Sequence, residues 1–99
     1  MLGSYEATGE IDLFSAPAFE AILRSQVDQA HNRAVFIDCS AISFMDSSAF
    51  HALVRAHRYA IDQDRRLVVG NLTPNCARTL RLCDWNNELT IDALMPLAE

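Results

Sequence analysis

The residues in this 99-residue sequence best placed to do chemistry are Asp46, Ser47 and Ser48. One acid and two adjacent hydroxyls stand directly before a run, Ala49 to Ile61, whose apolar residues recur at helical spacing. A helix exposes unpartnered backbone N–H groups at that point. Two roles fit. A hydroxyl could accept one of those N–H groups and cap the helix, contributing about 1 kcal/mol; spacing alone favours this role. Alternatively, a serine could receive a phosphoryl group from another protein. The added charge of about −1.5 to −2 would be received by helix N–H groups and repelled by Asp46.

Other chemistries find less support. A serine hydrolase would place its nucleophile in Gly-x-Ser-x-Gly with a histidine base, and neither serine has those glycines. His51 lies one turn on without an orienting acid. A phosphate-cradling loop needs clustered glycines and a lysine; this chain has three scattered glycines and no lysine. His31, His51 and His57 form no ligand constellation. Cys39, Cys76 and Cys83 match no zinc spacing, so all three read as small apolar side chains at or near the core. No metal or cofactor is expected.

The elements that must position the trio can be read in order. Tyr5 to Thr8 predicts a brief strand closed by Gly9-Glu10, with too little before it to pair, so the first strand of the sheet is expected to be short or missing. Ser15 reads as a helix cap before Pro17. Phe19, Ile22, Leu23, Val27 and Ala30 follow near one helical face. Glu20, four residues before Arg24, suggests that helix's exposed side, and Asn32 its stop. Ala34 to Ile37 predicts a buried strand, with Asp38-Cys39-Ser40 at its carboxyl end and Ala41 to Met45 as a bridge. Sites in open α/β sheets form beyond the carboxyl ends of strands, which makes Asp38 an expected neighbour of Asp46.

A helix over about 48–62 puts Ala49, Leu53, Ala56 and Ala60 on its inner face, with His51, Arg55, Arg58 and Asp62 opposite. Leu67 to Gly70 predicts the next strand. Thr73-Pro74 opens a short helix through Ala77, Leu80 and Cys83. Leu89 to Ile91 is a last strand, and Asp92 to Leu97 a terminal turn or helix. The alternation argues a single α/β domain: a mixed four- to five-stranded sheet packed on about four helices.

Composition narrows the function classes. Hydrophobic residues make up 51% of the chain, enough for a core without disulfides or metal. The net charge is −5 and all eight basic residues are arginine, a balance ill-suited to a nucleic-acid backbone and better suited to a basic protein partner. No apolar run approaches the ~20 residues of a membrane span. The start, Met1 to Glu6, does not read as a secretory signal, so the expected location is the cytoplasm.

Three segments together carry a resemblance to a known family. They are Gly9-Glu10-Ile11-Asp12 with Ser15-Ala16-Pro17; Ile37-Asp38-Cys39-Ser40 with Phe44-Met45-Asp46-Ser47-Ser48; and Leu67-Val68-Val69-Gly70 through Pro74, Arg78 and Leu80. In order and spacing they resemble the STAS domain, named for sulphate transporters and anti-sigma factor antagonists, from about Ala7 to Ile91.

For the antagonist branch the resemblance implies a bacterial switch. The unphosphorylated domain binds an anti-sigma factor that is also a serine kinase, and so frees a sigma factor for transcription. Phosphorylation ends the binding, and a metal-dependent serine phosphatase resets it. Carried onto this chain, Ser47 would be the acceptor and Ser48 the fallback. Asp46 would position the loop, with Asp12 and Asp38 nearby. Ala49 and His51 stand where the family's loop commonly has glycine. The protein would be a substrate, not an enzyme.

Two other readings stay open. One is a STAS module that binds a nucleotide or lipid, or regulates a transporter through a separate partner. The other is a scaffold in a stress-sensing assembly, with the missing strand supplied by another chain. A truncated sheet edge would also invite a homodimer, a point the sequence leaves undecided.

Overall fold

The structure, a computed structural model, describes residues 3–84 and 87–91. Its elements in order are β1 (Gly3–Ile11), α1 (Ala16–Gln29), β2 (Ala34–Met45), α2 (Ser47–Asp62), β3 (Arg66–Gly70), α3 (Pro74–Cys83) and β4 (Thr90–Ile91). The strands form one sheet in the order β1-β2-β3-β4, and every described pairing is parallel. The order never reverses, so right-handed crossovers place all three helices on one face. Alternating side chains agree. Ala7, Val35, Ile37, Cys39, Leu67 and Val69 join the helices in one buried cluster. The intervening Ser4, Glu6, Phe36, Asp38 and Val68 turn to the other face, which is mostly polar.

A single α/β domain is what the sequence predicts, but several details differ. The described pairings are all parallel rather than mixed, and three helices are described rather than about four. The opening strand is long, not brief: β1 pairs with β2 from Gly3↔Val35 to Ile11↔Met45. The segment Ala41 to Met45 is strand and not a bridge. Its alternation is hidden by two register shifts, between Glu6 and Thr8 and between Gly9 and Glu10, each adding a residue on the β2 side. Such bulges re-aim the side chains that follow. The inward residues of β2 therefore run 35, 37, 39, 42 and 45, and a period-2 pattern fails at the third step. The expected terminal turn over Asp92 to Leu97 lies outside the described residues.

The helices follow their apolar faces closely. In α2, Ala49, Leu53, Ala56 and Ala60 are fully buried, while His51, Arg55, Arg58 and Asp62 are exposed. In α1, Phe19, Leu23 and Val27 are buried, but Ile22 faces outward. Glu20 is not on the exposed side. It sits in the α1–α2 seam, where the Arg24 and Arg55 guanidiniums approach its carboxylate at 3.0 and 2.6 Å. Desolvation there opposes ionisation, yet the two arginines outweigh it and hold the Glu20 carboxyl below its ordinary value. Arg24 also lies over the Tyr59 ring, 4.8 Å from its centroid, and the Tyr59 hydroxyl donates to Asp28. The Tyr59 phenol is raised, first by that hydrogen bond to the Asp28 carboxylate. The cysteines are as expected: Cys39 and Cys76 are buried and Cys83 packs against the core. Burial pushes the Cys39 thiol up to about 12.

Candidate functional site

Strand β3 stops at Gly70, opposite Asp38, so the far part of β2 would show a bare edge on that side. Helix α3 fills the gap with side chains. The Met45 N–H donates to Asn75 Oδ1 at 3.3 Å, and the Thr79 hydroxyl donates to the Met45 carbonyl at 3.1 Å. On the opposite side, the Asp46 N–H donates to the Ile11 carbonyl at 3.3 Å. The turn from β2 into α2 is thus held between β1 and α3.

At this turn the acid does the capping. Asp46 is the N-cap of α2, and its Oδ1 accepts the N–H groups of Ser48 at 2.8 Å and Ala49 at 3.3 Å. The serines are free of that duty. Ser47 is the first helical residue and exposed, and its hydroxyl has no hydrogen bond among the described residues. Ser48 is half-buried. The expectation that helix N–H groups would receive a phosphate needs correcting, because the Asp46 carboxylate already holds the second and third of them. Ala49 is fully buried and is not among the positive-φ residues, so its position has no need of glycine. His51 is exposed one turn along, its ring edge-on to Phe50 at 5.4 Å.

The turn from β1 into α1 lies alongside. Asp12 Oδ1 accepts the N–H groups of Phe14 and Ser15, both at 3.0 Å, and the Asp12 N–H donates to Ser15 Oγ at 2.9 Å. The Ser15 N–H and hydroxyl, with the Phe14 N–H, hold the Asp12 carboxyl below its ordinary value. Ser15 is the N-cap by position but makes no side-chain cap bond. Its hydroxyl faces back to Asp12 and the Glu10 carbonyl. This turn carries two exposed apolar side chains, Leu13 at 69% and Phe14 at 90% exposure. Phe44, partly exposed, is paired through its backbone with Glu10. Spacing and the family resemblance both missed this apolar rim. Its signal was Leu13-Phe14 falling between two strong turn residues, where a core role was already doubtful.

The fold brings Asp12, Asp46, Ser47, Ser48 and His51 to one end of the sheet but leaves Asp38 out. Asp38 lies in the middle of β2, roughly 20 Å along the strand from Met45 at ~3.3 Å per residue. It is not at the strand's carboxyl end, because β2 runs on to Met45. There it accepts from the Ser40 N–H at 3.0 Å and the Asn71 amide at 3.3 Å. Desolvation acts against it, but these bonds keep its carboxyl lowered.

A shallow groove of about 570 Å³ opens beside α2, lined by Phe50, His51, Val54, Arg58, Asp84 and Glu88 among others. Its two arginines are engaged, Arg55 by Glu20 and Arg58 by Glu88 at 2.6 Å. No grouping of His, Cys, Asp and Glu among the described residues could hold a metal ion. Nor is any described helix long and apolar enough to cross a membrane.

A parallel sheet covered on one face by helices, with an acid-capped serine turn at one end, defines an α/β domain of one helical layer on one sheet. The chain belongs to the STAS domain family, whose model matches residues 3–95. Among solved structures it is similar to the anti-sigma factor antagonist SpoIIAA in its unphosphorylated form, with a TM-score of 0.69 at 16% identity over 92% of this chain and 79% of that one. It is also similar to a Thermotoga maritima protein described as a prospective anti-sigma factor antagonist, with a TM-score of 0.74 at 14% identity and the same coverage. At such identities the likeness is one of fold. No curated protein sequence matches the chain.

Proposed function

We propose that this domain is an anti-sigma factor antagonist, switched off by phosphorylation of Ser47. Unmodified, it binds an anti-sigma factor with serine kinase activity and so releases a sigma factor for transcription. In the phosphorylation step the Ser47 oxygen attacks the γ-phosphorus of ATP bound to the kinase. The new O–P bond replaces the bond to ADP, and the hydroxyl proton passes to a base on the kinase. A phosphatase reverses the modification. The domain supplies the acceptor and no catalytic group.

The observation that carries this reading is the division of labour at the turn: Asp46 closes the helix, and Ser47 stands exposed with an unengaged hydroxyl. The new phosphate would meet the Asp46 carboxylate rather than open N–H groups. Its charge of about −1.5 to −2 would project into whatever docks on Leu13 and Phe14. Ser48 is the weaker acceptor, being half-buried. The ligand-binding alternative is less favoured, because the groove beside α2 offers a phosphate-bearing ligand no unpaired arginine among its lining residues.

The test is to incubate the domain with ATP and candidate anti-sigma kinases, then locate phosphate by mass spectrometry and measure binding by calorimetry. Ser47→Ala should abolish modification and keep binding, Ser48→Ala should be modified normally, and Ser47→Asp should bind at least tenfold more weakly. Equal affinity for Ser47→Asp and the unmodified domain would overturn the switch.

A further inference from the structure

We infer that two copies of this chain pair through the free edge of β1, forming an antiparallel two-fold dimer with a continuous sheet. This does not depend on the phosphorylation reading. Among the described residues β1 ends the sheet, pairing only with β2. A nine-residue strand thus offers a row of outward backbone donors and acceptors. Proteins blunt such edges with proline, charged side chains, bulges, short length or a covering element. β1 is long and has neither proline nor lysine, the extra residues of its two bulges lie on β2, and its charges are Glu6 and Glu10.

The edge is complementary to itself in one register. Residues opposite each other in an antiparallel pair share a face, so the two-fold axis must pass beside a residue facing its own counterpart. Three centrings keep most of β1 paired. An axis at Glu6 sets two glutamates face to face, and an axis at Thr8 sets Glu6 against Glu10. An axis at Ala7 avoids both: Glu6 meets the partner's Thr8, and Ser4 meets the partner's Glu10. It also lays each Tyr5 across from Gly9, where an added Cβ would meet no atom within 4 Å.

Helix α1 supplies a second, independent observation. It meets α2 through Glu20, Arg24 and Asp28. At 100° per residue, Ala18, Ile22, Ser25, Gln26 and Gln29 fall on the flank turned away from α2, toward the β1 edge. None is charged, and Ile22 is 40% exposed. The outer face of α2, by contrast, carries His51, Arg55, Arg58 and Asp62. Pairing two β1 strands at about 4.8 Å would bring the two α1 helices to roughly 10 Å, within the contact range of packed helices. The uncharged flank is thereby covered, while the two Ser47 turns point to opposite ends and stay open.

Sedimentation of the full chain over a concentration series tests this, with circular dichroism to confirm folding. The wild type should reach twice the 11.0 kDa chain mass. Thr8→Glu sets two like-charged pairs across the axis and should raise the dimer dissociation constant about tenfold, and Ile22→Glu should also raise it. Adding Glu6→Arg to Thr8→Glu should restore dimerisation. A monomer at every concentration overturns the inference, and so does a dimer whose dissociation constant neither single variant moves. Neither result bears on modification of Ser47, which mass spectrometry reads separately.

Discussion

At the scale of single residues, the contrast between Asp46 and Ser47 makes a sharp prediction about stability. Asp46→Ala removes the acceptor for two helix N–H groups and should cost about 1 kcal/mol, lowering Tm by roughly 4–8 °C in a domain of this size. Ser47→Ala removes an exposed hydroxyl with no described partner and should leave Tm within about 2 °C. Paired thermal melts check both, and a large loss for Ser47→Ala would show that the serine has a structural duty. The trio itself was readable as a motif, because helix periodicity begins at Ala49. Which member caps was not readable, since Asp and Ser are about equally good caps. Only the entry angle of the chain from β2 decides between them. Ser15 repeats the lesson: a good capping residue in a good position makes no cap bond, its hydroxyl being taken up by Asp12 and the Glu10 carbonyl in the turn before α1.

At the scale of elements, the site depends on how α3 closes the exposed end of β2. Thr79→Val removes the donor to the Met45 carbonyl, and Asn75→Ala removes the acceptor for its N–H. A lost hydrogen bond of this kind costs about 1 kcal/mol. The double variant should show faster amide exchange at residues 45–48 with little change in the middle of α1. Unchanged exchange there would mean that β1 alone holds the turn. The helices were largely legible because α2 keeps one phase for four turns, with alanine wherever it approaches the sheet. The second half of β2 was not legible. Its bulges break the period on which strand recognition rests, and its pairing partner is far away in sequence. Asp38 was misplaced for the same reason, since the strand was expected to end where its alternation ends.

For the whole molecule, charge makes stability sensitive to acid in two stages. His57 is held below its usual value, first by burial and then by Arg66, against the opposing pull of a hydrogen bond with the Leu67 backbone and of the Glu88 and Asp84 charges. Its Nδ1 is buried without a partner among the described residues. The folded state therefore declines a proton that the unfolded chain accepts below about 6.5. Stability fully present above that pH should fall as pH drops toward the folded value. Glu20, lowered by its arginines, adds a second loss as pH falls below about 4.5. Urea midpoints between about pH 7.5 and 3 should show both stages. His57→Gln should flatten the upper one and Glu20→Gln should reduce the lower, which the lowered Asp12 and Asp38 carboxyls share, and midpoints flat across pH 7 to 5 in the wild type would remove His57 from the account. The acidic balance was visible in the composition, but the location of these groups in seams required the packing.

The carboxylate cap has a consequence for any chemistry at its neighbour. A group attached to Ser47 would take no hydrogen bond away from the start of α2, yet a phosphate would press its charge against the very carboxylate that winds it, so traffic of modifying enzymes through this turn would be felt both in recognition and in the tightness of the helix's first turn.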